Sequence, residues 1–217
     1  MKCMPSGFGK STFRHFLRGA IVCCFAALSM HAGAQPTSVN PVQAPVFPGD
    51  SVYQVVATLT DQDGRAFKMG DHRGKPVLVS MFYTSCKFVC PMLIDTMALT
   101  QQSLSTEERA RLDLLLISFD PARDDTQKLK SVAGARDLSP AQWTLARTDA
   151  TSVRKIAAAL GIQYRLLSDG EYNHTTVLVL LDAEGRMVGR TKKIGTADAE
   201  FIKLVKKVLS ASSHTGQ

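Results

Sequence analysis

Three apolar segments of strand length, separated by helical patterns, constrain the fold of this chain more than any other feature. The segments are PVLVSMF at 76–82, LDLLLISF at 112–119 and TTVLVLL at 175–181. Apolar runs of this length are typical of strands that are buried on both faces of a sheet. Amphipathic helical patterns alternate with them at 92–104, 124–132, 150–160 and 196–210. The sequence therefore predicts one α/β domain with a central mixed sheet flanked by helices.

An N-terminal β-hairpin is predicted before the first core strand. Residues 52–59 have a strand-like pattern, and Asp61-Gln62-Asp63-Gly64 is typical of a tight turn. Residues 65–69 are suited to the returning strand. Shorter strands are predicted at 143–146 and 186–191, the second after the turn at 182–185.

The first 34 residues have the pattern of a cleaved signal peptide. An apolar run of 12 residues at 19–30 is too short for the roughly 20 residues that cross a bilayer. Ala32-Gly33-Ala34 supplies the small residues that a signal peptidase accepts, which predicts cleavage before Gln35. An uncleaved membrane anchor is the alternative. The region before the apolar run contains four cations and no acid: Lys2, Lys10, Arg14 and Arg18.

Removal of the signal peptide changes the charge of the chain. Four of the 26 basic residues and none of the 19 acidic residues leave with it, so the net charge falls from +7 to +3. A charge this small, without a basic cluster, gives no reason to expect a nucleic-acid partner. We expect a periplasmic protein, or an inner-membrane anchored one if the signal is retained. The expected parts are the signal peptide at 1–34, a proline-containing linker at 35–50, the domain at 51–211 and a disordered tail at 212–217.

Cysteine usage indicates where the functional site lies. Cys3, Cys23 and Cys24 belong to the predicted signal peptide, so Cys86 and Cys90 are the cysteines that remain. Two cysteines in one short segment of an exported protein indicate a disulfide, a redox pair or a metal site. A bridge across so short a loop removes little chain entropy, which disfavours a purely stabilising disulfide.

The position of these cysteines suggests reactive thiols. They lie in a loop between a predicted strand and a predicted helix, with Pro91 in the first helical turn. The positive end of the helix dipole favours thiolate over thiol, and Lys87 acts in the same direction. Thiolate is both the nucleophile of disulfide exchange and a soft ligand for copper. Closed tetrahedral zinc would need two further ligands.

Three histidines remain as candidate third ligands. His174 directly precedes the apolar segment at 175–181, where a ligand would be held rigidly at the edge of the sheet. His72 lies in a charged turn and is predicted to be solvated, and His214 lies in the polar tail. From spacing alone, an ordinary histidine at the end of a strand explains His174 at least as well as a ligand does.

Three segments in the right order resemble the Sco/SenC family over roughly 52–210. They are FYTSC-x-x-x-CP at 82–91, SFDPARD at 118–124 and HT at 174–175. The resemblance implies a thioredoxin-like fold and a copper site, Cu(I) or Cu(II), with Cys86, Cys90 and His174 as ligands. It also implies delivery of copper to the cytochrome c oxidase subunit that carries the binuclear copper centre. Other copper chaperones or thioredoxin-like reductants are the further partners that it implies.

The chain departs from the family pattern between the cysteines. Family members commonly have proline after the first cysteine and often an acidic residue next, where this chain has Lys87 and Phe88. Added positive charge favours thiolate but disfavours a bound cation, so copper affinity and reduction potential stay open. Asp120 and Asp124 match the family's D-P-x-x-D segment, although turn formation and helix capping explain them equally well. Asp125 is predicted to be solvated.

Two functions are therefore expected. The first is a metallochaperone. The second is a thiol–disulfide reductase in which Cys86 attacks a partner disulfide and Cys90 resolves the mixed disulfide, keeping the oxidase thiols reduced. Three residues between the cysteines, and His174 where general thioredoxin-fold oxidoreductases keep a cis-proline, favour the chaperone. A redox or copper sensor is a third reading, and a peroxidase would need a supporting arginine that the pattern lacks.

Overall fold

The computed structural model describes residues 46–212. The predicted signal peptide, most of the predicted linker and the segment 213–217 with His214 lie outside the described residues. In chain order the helices and strands are β1 (Leu59–Asp61), β2 (Ala66–Phe67), β3 (Val77–Phe82), α1 (Val89–Gln102), α2 (Thr106–Ala110), β4 (Asp113–Ser118), α3 (Thr126–Ala135), β5 (Trp143–Arg147), α4 (Ala150–Ala159), β6 (Tyr164–Leu166), β7 (Tyr172–His174), β8 (Leu178–Leu181), β9 (Met187–Thr191) and α5 (Ala199–Ser212).

Most strands of the described region form one mixed sheet. Its order is β2-β1-β5-β4-β3-β8-β9. Strands β3, β4 and β5 are parallel, whereas β8 runs antiparallel to β3 and β9 antiparallel to β8. All residues of β3 and β8 are buried, as their apolar sequences predict. The predicted α/β class with a central mixed sheet is confirmed.

The helices pack on this sheet through apolar faces of helical period. Phe201, Val205 and Leu209 of α5 recur at four-residue spacing and are all buried. Helix α4 begins at a capped end, because the Asp149 side chain accepts the backbone N–H groups of Thr151 and Ser152. Within residues 46–212, no helix combines the length and apolar character needed to cross a bilayer.

The predicted strand at 52–59 is wrong over most of its length. Residues Val52–Gln54 form a 3-10 helix, capped by the Ser51 hydroxyl, which accepts the Tyr53 N–H at 3.1 Å. Tyr53 also packs against Phe47, with 5.7 Å between the ring centroids. This cap and the aromatic contact override the strand-like pattern. Strand β1 begins only at Leu59 and pairs antiparallel with β2 across a turn.

The predicted strand at 175–181 is shorter in the structure, and His174 does not lead into it. Only Leu178–Leu181 joins the main sheet, as β8. His174 belongs to β7, which pairs with β6 in a separate two-stranded sheet. Between β7 and β8 the chain leaves the small sheet and enters the main sheet. The Thr175 N–H, just after β7, still donates to the Gln163 carbonyl beside β6, at 2.8 Å. A small hairpin therefore carries the histidine.

The helices differ from their predicted extents by a few residues at their ends, and one helix was not predicted. Helix α3 spans Thr126–Ala135 instead of 124–132, because the Asp125 side chain accepts the Lys128 N–H and caps its start. Helix α2 was not predicted. Its signal is a capping box in which the Ser105 hydroxyl accepts the Glu108 N–H and the Glu108 carboxylate accepts the Ser105 N–H.

Because β4 lies between β3 and β5, its apolar side chains should contribute strongly to stability. We expect Leu115→Ala to lower the free energy of unfolding by about 2–5 kcal/mol, since it leaves a cavity in a fully buried site. Urea denaturation followed by circular dichroism measures the change. Leu166→Ala, at an exposed strand position, is the matched control and should cost less than about 0.5 kcal/mol. Equal losses for the two variants would contradict this account of the core.

Candidate metal centre

The structure brings together the three side chains that the sequence singled out. Cys86 lies in the loop after β3, Cys90 is the second residue of α1, and His174 ends β7. One potential ligand atom from each residue lies within 4.8 Å of the other two. In the part of the chain that the structure describes, this is the one cluster of three or more histidine, cysteine or carboxylate side chains with metal-binding spacing.

His72 is not part of this cluster, and its predicted solvation is wrong. Its ring is largely buried, with Nδ1 2.9 Å from the Asp113 carboxylate. The ring also packs edge-on against Phe67, with 5.7 Å between centroids. These contacts give His72 a role in packing the N-terminal hairpin against β4.

The backbone of the cysteine loop is folded tightly around the Cys86 sulfur. The Cys86 N–H donates to the Tyr83 carbonyl at 3.3 Å, which turns the chain away from β3. The Cys90 N–H then donates to the Cys86 Sγ, also at 3.3 Å. The start of α1 is therefore aimed at the Cys86 sulfur, where its free N–H groups favour negative charge.

The buried carboxylate of Asp124 holds this loop in place. It accepts the Thr84 N–H at 3.0 Å, and also hydrogen bonds from the hydroxyls of Thr84 and Ser118. Ser118 ends β4, so Asp124 joins that strand to the loop that carries Cys86. Helix capping is done instead by Asp125, which is exposed as predicted.

Asp120 organises the other side of the site. It is buried, accepts a hydrogen bond from Arg123, and accepts one from the Tyr172 hydroxyl at 3.3 Å. The Arg123 guanidinium also lies 5.5 Å from the centre of the Tyr172 ring. Because Tyr172 belongs to the same strand as His174, these contacts connect the 118–124 segment to the strand that carries the histidine.

The two thiols differ in their electrostatic surroundings. Partial burial alone would raise the pKa of Cys86, but hydrogen bonds to its sulfur from Cys90, Phe88 and Tyr83 outweigh it and lower that pKa. Burial raises the pKa of Cys90 far above its usual range, and the neighbouring Cys86 adds to the shift. The hydrogen bonds at the start of α1 thus favour thiolate at Cys86, in the direction that the sequence predicts, whereas burial disfavours it at Cys90.

His174 is prepared to act as a neutral ligand. Burial lowers its pKa, so the imidazole is uncharged at pH 7. Its Nδ1 lies 3.3 Å from the Thr175 carbonyl, and a proton held there leaves the lone pair of Nε2 available for a metal. The rings of Phe119 and Tyr83 pack around it, with centroid distances of 4.9 and 6.0 Å.

Sequence reasoning missed the contact between Tyr83 and Glu171. The Tyr83 hydroxyl donates to the Glu171 carboxylate at 2.6 Å and joins the cysteine loop to the β6–β7 hairpin. Tyr83 stands within the FYTSC motif, which was a usable signal, but nothing in the sequence marks Glu171. A small cavity of about 80 Å³ is lined by both cysteines but not by His174, so it lies beside the three donor atoms and not between them.

Comparison with protein families agrees with this geometry. The family model for SCO1/SenC matches residues 53–210, a range that includes both cysteines and His174. The chain belongs to the SCO1/SenC family. The Sco/SenC resemblance noted in the sequence is therefore confirmed.

Individual relatives and solved structures are similar to this chain over most of their length. A Stutzerimonas stutzeri protein whose name refers to copper binding is 25% identical over 183 residues, 82% of this chain and 86% of that protein. ScoI of Bradyrhizobium japonicum, solved with copper bound, is 25% identical with a TM-score of 0.60, covering 70% of this chain and 96% of its own.

A third similar structure is BsSco, described as a member of the Sco family of cytochrome c oxidase assembly proteins in which a disulfide switch was identified. It is 20% identical with a TM-score of 0.62, over 80% of this chain and 99% of its own. These structural matches confirm the thioredoxin-like fold that the resemblance implied.

Removal of the Asp124 carboxylate should destabilise the protein and loosen the cysteine loop. Asp124→Ala leaves buried donors on Thr84 and Ser118 without a partner, so we expect a loss of about 3 kcal/mol in the free energy of unfolding. Asp125→Ala, next in sequence, removes only a helix cap and should cost about 1 kcal/mol. Thermal and urea unfolding of both variants measure the difference, and equal losses would contradict the assigned role.

Alkylation should distinguish the two cysteines of the reduced, metal-free protein. Because the pKa of Cys86 is lowered, its thiolate persists to lower pH than an ordinary thiol, whose pKa is about 8.5. We expect iodoacetamide to modify Cys86 first, with a midpoint below that of a free thiol, and to modify Cys90 only after unfolding. Peptide mass spectrometry over pH 5–9 measures this order. Cys90→Ala should move the Cys86 midpoint upward, and preferential labelling of Cys90 would refute the assignment.

Proposed function

We propose that this protein binds one copper ion through Cys86, Cys90 and His174 and delivers it during assembly of the binuclear copper centre of cytochrome c oxidase. The observation that carries the proposal is the convergence of the three donor atoms within 4.8 Å. Two sulfurs and one imidazole nitrogen at that spacing can reach a single ion with small side-chain adjustments.

The donor set suits copper better than zinc. Thiolate ligands select soft ions such as Cu(I), which accept a low coordination number, and imidazole suits both oxidation states of copper. A structural zinc site would need a fourth protein ligand, and no fourth histidine, cysteine or carboxylate joins the cluster within residues 46–212. The copper-bound ScoI structure supports the same choice.

The contrast between the thiols suits a carrier that releases its ion. Cys86 is half-buried and therefore open to an incoming ligand, whereas Cys90 is buried. Metal binding displaces the thiol protons. Because burial raises the pKa of the Cys90 thiol, the proton returns readily to that sulfur when an acceptor takes the ion. Protonation of Cys90 then disfavours recapture.

The location and partners follow from the sequence and the relatives. The N-terminal pattern supports export and cleavage before Gln35, so we place the activity in the periplasm. The membership of BsSco in a family of oxidase assembly proteins supports the oxidase subunit with the binuclear copper centre as the acceptor. Other copper chaperones or thioredoxin-like reductants would supply the ion or reduce the cysteines.

Thiol–disulfide exchange is the second candidate function, and the lowered pKa of Cys86 favours it. The Cys86 thiolate would attack one sulfur of a partner disulfide and release the other as a thiolate. Cys90 would then attack the mixed disulfide, so that the partner leaves reduced and this protein is oxidised. The disulfide switch of BsSco supports this reading. His174 separates the two functions, because disulfide exchange needs no imidazole ligand.

Copper titration of the reduced protein tests the ligand set. We expect about one copper ion per chain, and a loss of affinity of at least a hundredfold for Cys86→Ser, Cys90→Ser and His174→Ala. Competition with a chelator of known affinity measures the dissociation constants. Affinity should also fall as pH decreases, because protons compete for both sulfurs and for the imidazole.

His72→Ala is the matched control for the titration. It removes a histidine that hydrogen-bonds Asp113 outside the cluster, so the copper affinity should be unchanged even if stability falls. Full copper binding by His174→Ala would remove the main support for the chaperone and leave disulfide exchange as the better proposal.

A further inference from the structure

The side chain of Phe88 has no part in the proposed copper site, although its backbone N–H donates to the Cys86 sulfur. Phe88 is the cap residue before α1, and its side chain is 82% exposed although Cys90 turns into the core. Lys87 is also exposed. An exposed phenyl ring next to the cysteine loop does not stabilise the folded state, because hydrophobic stabilisation requires burial.

Phe88 continues into an exposed apolar face of α1. Met92 follows it by four residues and is 46% exposed, and Leu99 lies at the same angular position further along the helix. Three of the large apolar side chains that are exposed within residues 46–212 thus fall on one side of one helix. Isolated exposed apolar residues are ordinary, but a row that begins beside a functional site indicates an interaction surface.

The charge next to this face is positive. The loop after β9 is held against α1, because the Gly195 N–H donates to the Thr96 hydroxyl at 2.8 Å. The exposed Lys192 lies three residues before Gly195 in that loop. Neither Lys87 nor Lys192 makes an ion pair with any other residue of the described region. The acid on this helix face, Asp95, is already paired with Arg136.

We propose that Phe88 and Met92, flanked by Lys87 and Lys192, form the docking surface for the protein that accepts the copper ion. The complementary acceptor surface is an apolar pocket for one phenyl ring, bordered by carboxylates. This inference rests on the proposed copper delivery and extends it to the chemistry of the partner. Aromatic and methionine side chains are enriched in the centres of protein interfaces.

Phe88 is exposed and lies two residues after the cysteine that an acceptor would approach. Ligand exchange requires acceptor atoms at bonding distance from the ion, about 2.3 Å for a metal–sulfur bond. Cys86 is the more accessible of the two sulfurs, and Phe88 stands two residues away with most of its surface exposed. A protein that reaches the ion from the Cys86 side therefore covers the phenyl ring, and the lysines orient its acidic border during approach.

Transfer kinetics test the surface. The full-length protein is loaded with one equivalent of copper and mixed with the reduced apo copper domain of the oxidase subunit, and transfer is followed by absorbance. Copper affinity and binding of the copper-free protein to the same domain are measured separately. The variants are Phe88→Ser and Lys87→Glu. Their matched controls are Val56→Ser, at an apolar residue that is 88% exposed in another segment, and Lys206→Glu on α5.

Phe88→Ser is expected to keep the copper stoichiometry and to weaken both docking and transfer by about tenfold or more, since burial of the ring is lost. Lys87→Glu is expected to slow transfer and to reduce its dependence on salt, while both controls behave as wild type. Docking and transfer by Phe88→Ser at wild-type rates would overturn the inference, as would self-association through Phe88 without acceptor binding. Phe88-dependent docking without any copper transfer would support the surface and refute the proposed delivery.

Discussion

The buried carboxylate of Asp124 is the interaction on which the geometry of the site depends. It reaches from the segment after β4 to the loop after β3 and accepts hydrogen bonds from Thr84 and Ser118. A buried acid with several donors is stable only in one arrangement, because any displacement leaves polar groups without partners. The position of Cys86, two residues after Thr84, is therefore set by an acid that comes nearly forty residues later in the chain.

The β6–β7 hairpin, which carries His174, is joined to the rest of the site by aromatic contacts and by the carboxylates of Glu171 and Asp120. The Tyr83 hydroxyl donates to the Glu171 carboxylate, and the Tyr172 hydroxyl donates to the Asp120 carboxylate. The hairpin thus contributes one phenol and one carboxylate, and the elements that face it contribute the other two groups. Phe119 packs against Tyr172 and His174 between them. These rings partly bury the imidazole, which lowers its pKa and favours the neutral form, while the hydrogen bonds from the start of α1 stabilise charge on Cys86. The same packing and hydrogen bonds thus hold the donor atoms in place and set the protonation of Cys86 and His174.

Lys87 and Phe88 belong to the exposed surface around the site and not to the set of donor atoms. Neither side chain is needed to position the donor atoms, because the loop is held by hydrogen bonds from Thr84 and from the backbone of Cys86 and Cys90. Residues 87 and 88, where this chain departs from the family pattern, are therefore free to face a partner protein. In the proposed delivery, a recognition surface directly beside the candidate ligands would bring the acceptor to the ion.

The sequence by itself determined the α/β class, the buried strands and the identity of the three candidate ligands, because apolar periodicity and motif order are local properties. It failed where specific side-chain contacts override the apolar pattern. The Ser51 cap and Tyr53 packing replaced a predicted strand with a 3-10 helix, and His72 was buried by Asp113 and Phe67. It also missed the break between His174 and β8.

Only the tertiary structure decided how the thiols differ. Both cysteines lie near the start of the same helix, so the sequence predicts similar thiolate character for them. Cys90 is buried by packing of α1 against the core, and the hydrogen bonds to the Cys86 sulfur from Cys90, Phe88 and Tyr83 form only when the loop folds back on itself. These two effects move the two pKa values in opposite directions. The candidate ligands are therefore readable from the sequence, whereas their protonation and mutual distance are properties of the packed fold.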